Sequence, residues 1–272
     1  MFSASPGTEQ VGYTEHGDRE VASRGEILRT VVGSGVHGIA LPGTDDHDEM
    51  GVFLQPPEHV LGMKAPVEHY VYRTRPEGER SGPGDTDLVL YSLHKYLRLA
   101  LKGNPTVLIP LYAPEEAIVR CDPLGEQLRG MSSSLLSQRA VHRFLGYLNS
   151  QRDRLLENSG TARTPNRPEL VSAHGYDTKY ASHALRLAYQ GHEIARHGRL
   201  TLPMPDRERE HVLTVKRGEI TELRRVLDDI ERVSARAERL LSEQRTPLPE
   251  EPDHEAVSAW SIRAQRSHWG WA

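Results

Sequence analysis

The spacing of apolar residues changes near Ser92. Before it they stand in short runs rich in β-branched and aromatic side chains; after it they recur every three or four positions. In the first stretch "REVASRGEILRT" (19–30) predicts a short helix running into a buried strand, which ends abruptly at "GSG". "MGVFL" (50–54), "HYVYRT" (69–74) and "DLVLYS" (87–92) predict three further strands. The Gly-, Pro- and charge-rich "RPEGERSGPGDT" (75–86) predicts a loop between the last two.

Beyond that point the period is helical. "SLHKYLRLALKGNP" (92–105) has Ser92 as N-cap, Leu93, Leu97 and Leu101 on one stripe, and Gly103 with Pro105 as a stop. "SSLLSQRAVHRFLGYLNSQRDRLLEN" (133–158) puts Leu136, Val141, Phe144, Leu145 and Leu148 on one face. "DTKYASHALRLAYQGHEIARHG" (177–198) runs from a capping Asp177 to Gly198, and "GEITELRRVLDDIERVSARAERLLSEQ" (218–244) carries Ile220, Leu223, Leu227, Ile230 and Val233 as its stripe. Past Pro247 the periodicity fades, and no internal repeat is visible. The expected fold is α+β: a small mixed sheet flanked by helices, with a helical C-terminal region. The expected division is a flexible N-terminal segment with the start of the first helix (1–27), a sheet-bearing domain (28–130), a helical domain (131–246) and a tail (247–272).

Composition narrows the function classes. At 272 residues the chain can bury a real core as one large domain or two packed ones. No stretch approaches the roughly 20 apolar residues of a membrane span, and the first residues lack the layout of a secretory signal, so a cytoplasmic protein without membrane association is expected. The single cysteine, Cys121, excludes an intramolecular disulfide and a thiolate metal cluster. A net charge of −4 argues against a broadly basic nucleic-acid-coating surface but not against a local patch.

The chemistry concentrates in "VVGSGVHGIALPGTDDHDEMGVFL" (31–54). Residues two apart on a strand share a face, so Asp46 and Asp48 present their carboxylates together while His47 points away. Such a pair is half of a site for a hard divalent cation such as Mg²⁺. A third carboxylate should come from a neighbouring strand, with Asp87 the candidate and Asp85 its competitor. Gly33 and Gly35 let the backbone approach a ligand, and N–H groups with the Ser34 hydroxyl can hold phosphate oxygens. The "HD" of His47 and Asp48, with other histidines, could make a metal-dependent phosphohydrolase site, but such ligands usually sit on helices, and Pro42, Gly43 and Gly51 bracket this segment as turn and strand. Lys179, His183 and Arg186 fall at i, i+4 and i+7, one stripe of a helix able to face a triphosphate. Lys95 and Arg98, on the first helix after the sheet, are similar candidates. His37 reads as a structural or turn residue.

These residues resemble the nucleotidyltransferases of the DNA polymerase beta superfamily, whose signature is Gly-Ser, a spacer and Asp-x-Asp at a strand. More narrowly the chain is similar to the RNA repair pathway DNA polymerase beta family. The resemblance rests on residues 31–58, "DLVLYSLHKYLRLALKGNP" (87–105), "FLGYLNSQRDRL" (144–155), "YDTKYASHALRLAYQGHEI" (176–194) and "VKRGEI" (215–220). It implies a nucleotidyltransferase sheet, with a C-terminal region closing the cleft. It further implies that Gly33 and Ser34 hold the triphosphate and that Asp46 and Asp48 bind two Mg²⁺ ions, Mn²⁺ being an alternative. Asp87 would then be the third carboxylate, binding the catalytic metal and helping to deprotonate the attacking hydroxyl. Asp45 competes for the first position; Asp46 is preferred because only it shares a strand face with Asp48. The implied substrate is an NTP and the implied acceptor an RNA or tRNA end. Nucleotidylation of a protein hydroxyl and a non-catalytic nucleotide-binding protein are the alternatives.

Overall fold

A computed structural model describes residues 12–43, 46–160 and 167–271. Six strands form one mixed sheet: β1 (Thr14–His16), β2 (Glu26–Val31), β3 (His47–Phe53), β4 (His69–Arg73), β5 (Thr86–Ser92) and β6 (Ile118–Cys121), in the order β1-β4-β5-β3-β2-β6. All neighbours are antiparallel except β3 and β5, which run parallel in the middle. Around the sheet stand α1 (Arg19–Arg24), α2 (Gly33–Val36), α3 (Pro57–Val60), α4 (Leu93–Leu101), α5 (Ile109–Tyr112), α6 (Pro123–Gly130) and α7 (Ser132–Leu135). The helical region that follows holds α8 (Gln138–Gly160), α9 (Pro168–His174), α10 (Thr178–His197), α11 (Asp206–Lys216), α12 (Leu223–Ser242) and α13 (His254–His268).

The expected α+β architecture is the one observed, with four of the six strands where the pattern placed them. β1 and β6 are short edge strands of three and four residues, too brief to show alternation. Within the expected N-terminal segment the described residues hold β1 and α1; residues 1–11 lie outside the described part. The helix expected over 133–158 is two helices, because Leu136 between α7 and α8 is extended. The expected tail holds α13, which buries Val257, Trp260 and Ala264.

The pleat sorts the sheet's side chains. Met50 and Val52 of β3 face the main core with Tyr96 and Leu97 of α4, while Phe53, Leu90 and Tyr70 pack on Ala22 of α1 behind the sheet. Ser92 caps α4 by accepting from the Lys95 N–H. α10 is capped at both ends: Asp177 accepts from the backbone N–H groups of Lys179 and Tyr180, and Gly198 closes the helix at φ +65°. It runs through the middle of the helical region, and its buried Ala181, Ala184, Leu185 and Ala188 belong to the same core as the sheet. No helix among the described residues is long and apolar enough to cross a membrane.

Candidate active site

The parallel pairing of β3 and β5 sets the acidic site. Asp48 and Asp87 are direct partners in that register, so their side chains leave the same face of adjacent strands. Asp46, two residues before Asp48, joins them: one carboxylate oxygen from each of the three lies within 4.8 Å of the others. His47 projects the other way, its Nε2 2.8 Å from Glu49 Oε1. Asp85 stands apart, accepting from the Gly82 N–H and the Thr74 hydroxyl and so tying down the loop before β5. Asp45 lies outside the described residues.

Three carboxylates this close repel one another. Burial, then the charges of Asp46 and Asp87, push Asp48 up to about 6, against the pull of Lys179 and Arg75. Relief for one of them is already in place. Arg75 donates from both terminal nitrogens to Asp87, at 2.7 Å each, with Arg73 Nε 3.8 Å away. The donor set is oxygen only, which suits a hard cation such as Mg²⁺ rather than a soft metal, and one more positive charge would relieve Asp46 and Asp48 as Arg75 relieves Asp87. The residues therefore fit a divalent ion.

The Gly-Ser turn abuts this cluster. Val32 N–H donates to the Asp48 carbonyl at 2.8 Å, which holds the start of α2 against β3. Gly33 has φ +73°, and a Cβ there would lie 2.3 Å from Asp48 Oδ2. Only glycine supplies both the left-handed backbone and the empty space. Ser34 follows on α2, half-buried.

The α10 stripe divides by role. Lys179 is near enough for its charge to act on Asp48. His183 is held down at about 3 by burial first, then by Arg186, Lys179, Arg154 and Arg167, so it is neutral at physiological pH. Arg186 braces the Gly-Ser turn instead: its Nη1 donates to Nε2 of buried His37 at 2.8 Å and to Gln190 Oε1 at 2.9 Å. Burial lowers Arg186 to about 10, which leaves it charged. His37 sits at the end of α2 as a structural residue, and α11 and its approach hold the same loop through Met204 N–H to the His37 carbonyl and Lys216 Nζ to the Ile39 carbonyl.

Lys95 is not brought to the cluster. It follows the C-terminal end of β5, whereas Asp87 is near the N-terminal end; its Nζ lies 3.0 Å from His69 Nδ1 and 3.4 Å from Glu68 Oε2. His69 pairs with Tyr91, four residues past Asp87, or about 13 Å along the strand. Arg75, Arg154 and Arg167 were not legible as neighbours of the site. Arg75 comes from a run that reads as loop, and the two others from distant segments that only the tertiary fold brings near His183.

Oxygen donors on one side and fixed positive charge on the other match a nucleoside triphosphate with its cation, and the class that this fold and site define is the nucleotidyltransferases. The chain belongs to the RNA repair pathway DNA polymerase beta family, whose model matches residues 19–261. A solved structure, a nucleotidyltransferase-like protein from Exiguobacterium sibiricum, is similar over 92% of this chain and 74% of its own, at 12% identity and a TM-score of 0.29, too distant to add to the argument. Comparison with curated proteins finds no match.

Proposed function

We propose that this nucleotidyltransferase moves a nucleoside monophosphate from an NTP to a hydroxyl at an RNA or tRNA end and releases pyrophosphate. The observation that carries the reading is the Asp46, Asp48 and Asp87 cluster, with its oxygens within 4.8 Å of one another. Asp46, Asp48 and Asp87 would hold Mg²⁺, with Mn²⁺ as a substitute, and the bound ion supplies the positive charge that α-phosphoryl transfer needs at its entering and leaving oxygens.

The chain's own residues do the positioning. Gly33 and Ser34 receive the triphosphate at the turn beside Asp48, and Lys179 supplies a charge opposite the carboxylates. His183, neutral, contributes a hydrogen bond rather than a charge. Arg186 acts through His37 by keeping the turn in place. As the hydroxyl oxygen bonds to the α-phosphorus, the bond to the bridging oxygen breaks, pyrophosphate leaves with the electron pair, and the hydroxyl proton passes to Asp87. Arg75 must loosen its two-pronged hold for Asp87 to take that proton.

The test is incubation with each α-labelled NTP, Mg²⁺ and a mixture of small RNAs, beside the Asp48→Asn protein. Label in RNA with the wild type alone supports the proposal. Label appearing on the protein itself would move the acceptor to a protein hydroxyl. Equal label with Asp48→Asn would overturn the assignment of the triad.

A further inference from the structure

α10 carries a second set of charges. Its C-terminal half and that of α12 enclose a concavity of about 410 Å³, lined by His192, Arg196, Arg236, Arg239, Leu240 and Arg245. Arg196 is 17 positions after Lys179 on the same helix. At the helical rise and turn this places it about 25 Å along the axis and on a different face, so the concavity is separate from the triad.

Its electrostatics are unbalanced. Arg245 pairs with Glu243 at 3.1 Å, but among the described residues Arg196, Arg236 and Arg239 have no ion-pair partner. Other arginines of the same region are paired, such as Arg232 with Asp229 on α12 and Arg217 with Glu210 on α11. His192, half-buried in the wall, is held below its ordinary value by burial first and then by Arg236 and Arg196. It therefore stays neutral rather than adding a charge to the crowd. Three exposed, unpaired guanidiniums converging on one hollow, in a chain of net charge −4, gain most from a ligand that places several negative oxygens among them. The volume lies within the range of small-ligand pockets.

We propose that this concavity is a second phosphate site, binding a ligand that carries adjacent phosphate groups. The guanidinium forks of Arg236 and Arg239, one turn apart on α12, take one part of the ligand, and Arg196 of α10 takes another from across the hollow. Two sources offer this chemistry, the backbone of a nucleic acid and a free nucleotide. The site stands whichever acceptor the triad serves.

The test is calorimetric titration of the full chain with inorganic tripolyphosphate in EDTA, for wild type, Arg236→Gln/Arg239→Gln and Asp48→Asn. The expected result is binding by wild type and Asp48→Asn, with affinity lower by about tenfold or more in the double arginine variant. The replaced residues are exposed, so the melting temperature should not change; Arg196→Gln, on the other wall, should weaken binding by itself. Equal affinity in wild type and double variant, or no binding by wild type, overturns the proposal. Competition then separates the sources. An RNA oligonucleotide that displaces tripolyphosphate, with a salt slope reduced by about 2 in the double variant, assigns the backbone. Displacement by ATP or GTP and not by RNA assigns a free nucleotide.

Discussion

Asp48 shares a few ångströms with Asp46, Asp87 and the backbone of Gly33. Its carboxyl is raised to about 6 from 3.8, so the folded chain holds that proton more tightly than the unfolded chain does. The resulting stability is present below the unfolded value and is lost as pH rises through 6. His183 works the other way: lowered to about 3 from 6.5, it favours folding above 6.5 and costs stability as pH falls toward 3. Asp48→Asn removes the first effect and leaves the second. In metal-free buffer above pH 6 the variant should be more stable by about 1–2 kcal/mol, with the gain vanishing below pH 4. Urea denaturation at several pH values checks this, and a variant less stable than wild type at pH 7.5 would show that Asp48 is not strained by its neighbours.

At the scale of elements, α10 brings Lys179 to the site and depends on its cap. Buried Asp177 accepts from two backbone N–H groups and from Arg167 Nη1 at 3.1 Å, and Arg167 also lies 4.8 Å from the centre of the Tyr180 ring. Asp177→Ala loses the cap and strands the guanidinium, for an expected cost of about 2–4 kcal/mol. Asp177→Asn keeps the cap and should cost clearly less; equal losses in urea denaturation would show that the ion pair dominates. This helix was legible in the sequence because both of its ends carry strong signals, an aspartate and a glycine. α11 has no side-chain cap at its start, and α13, although capped by Asp253, lies past Pro247, where the apolar stripe fades. Each buries only three residues, and α11 opens on the charged run "DRERE". The break between α7 and α8 was hidden because Leu136 is buried along with the stripe it was assigned to. For the site, Asp-x-Asp periodicity brought Asp46 and Asp48 together on paper, but only the parallel register selects Asp87 over Asp85. Lys95 shows the converse: position just after a strand does not say which end of the sheet a residue serves.

Over the whole molecule, the sheet and the helical region share one core and meet at the Gly-Ser turn. Arg186 and Gln190 of α10 flank His37, Met204 and Lys216 hold the backbone beyond it, and just past α13 Trp269 Nε1 donates at 2.8 Å to the carbonyl of Gln55, two residues after β3. The acids of the site therefore come from the sheet, and its cations from both sides: Arg75 from the loop after β4 and Lys179 from α10. On the proposed function, these two halves together form a cation-dependent nucleotide site. The most direct measurement is calorimetric titration of ATP and GTP, with Mg²⁺ and with EDTA, into wild type and Asp48→Asn. A decoy contribution from the α12 arginines is removed by carrying Arg236→Gln/Arg239→Gln in both proteins. The expected result is binding of at least one nucleotide that strengthens about tenfold or more with Mg²⁺ in the wild-type triad and gains nothing from Mg²⁺ in Asp48→Asn. The same Mg²⁺ enhancement in both proteins would contradict it.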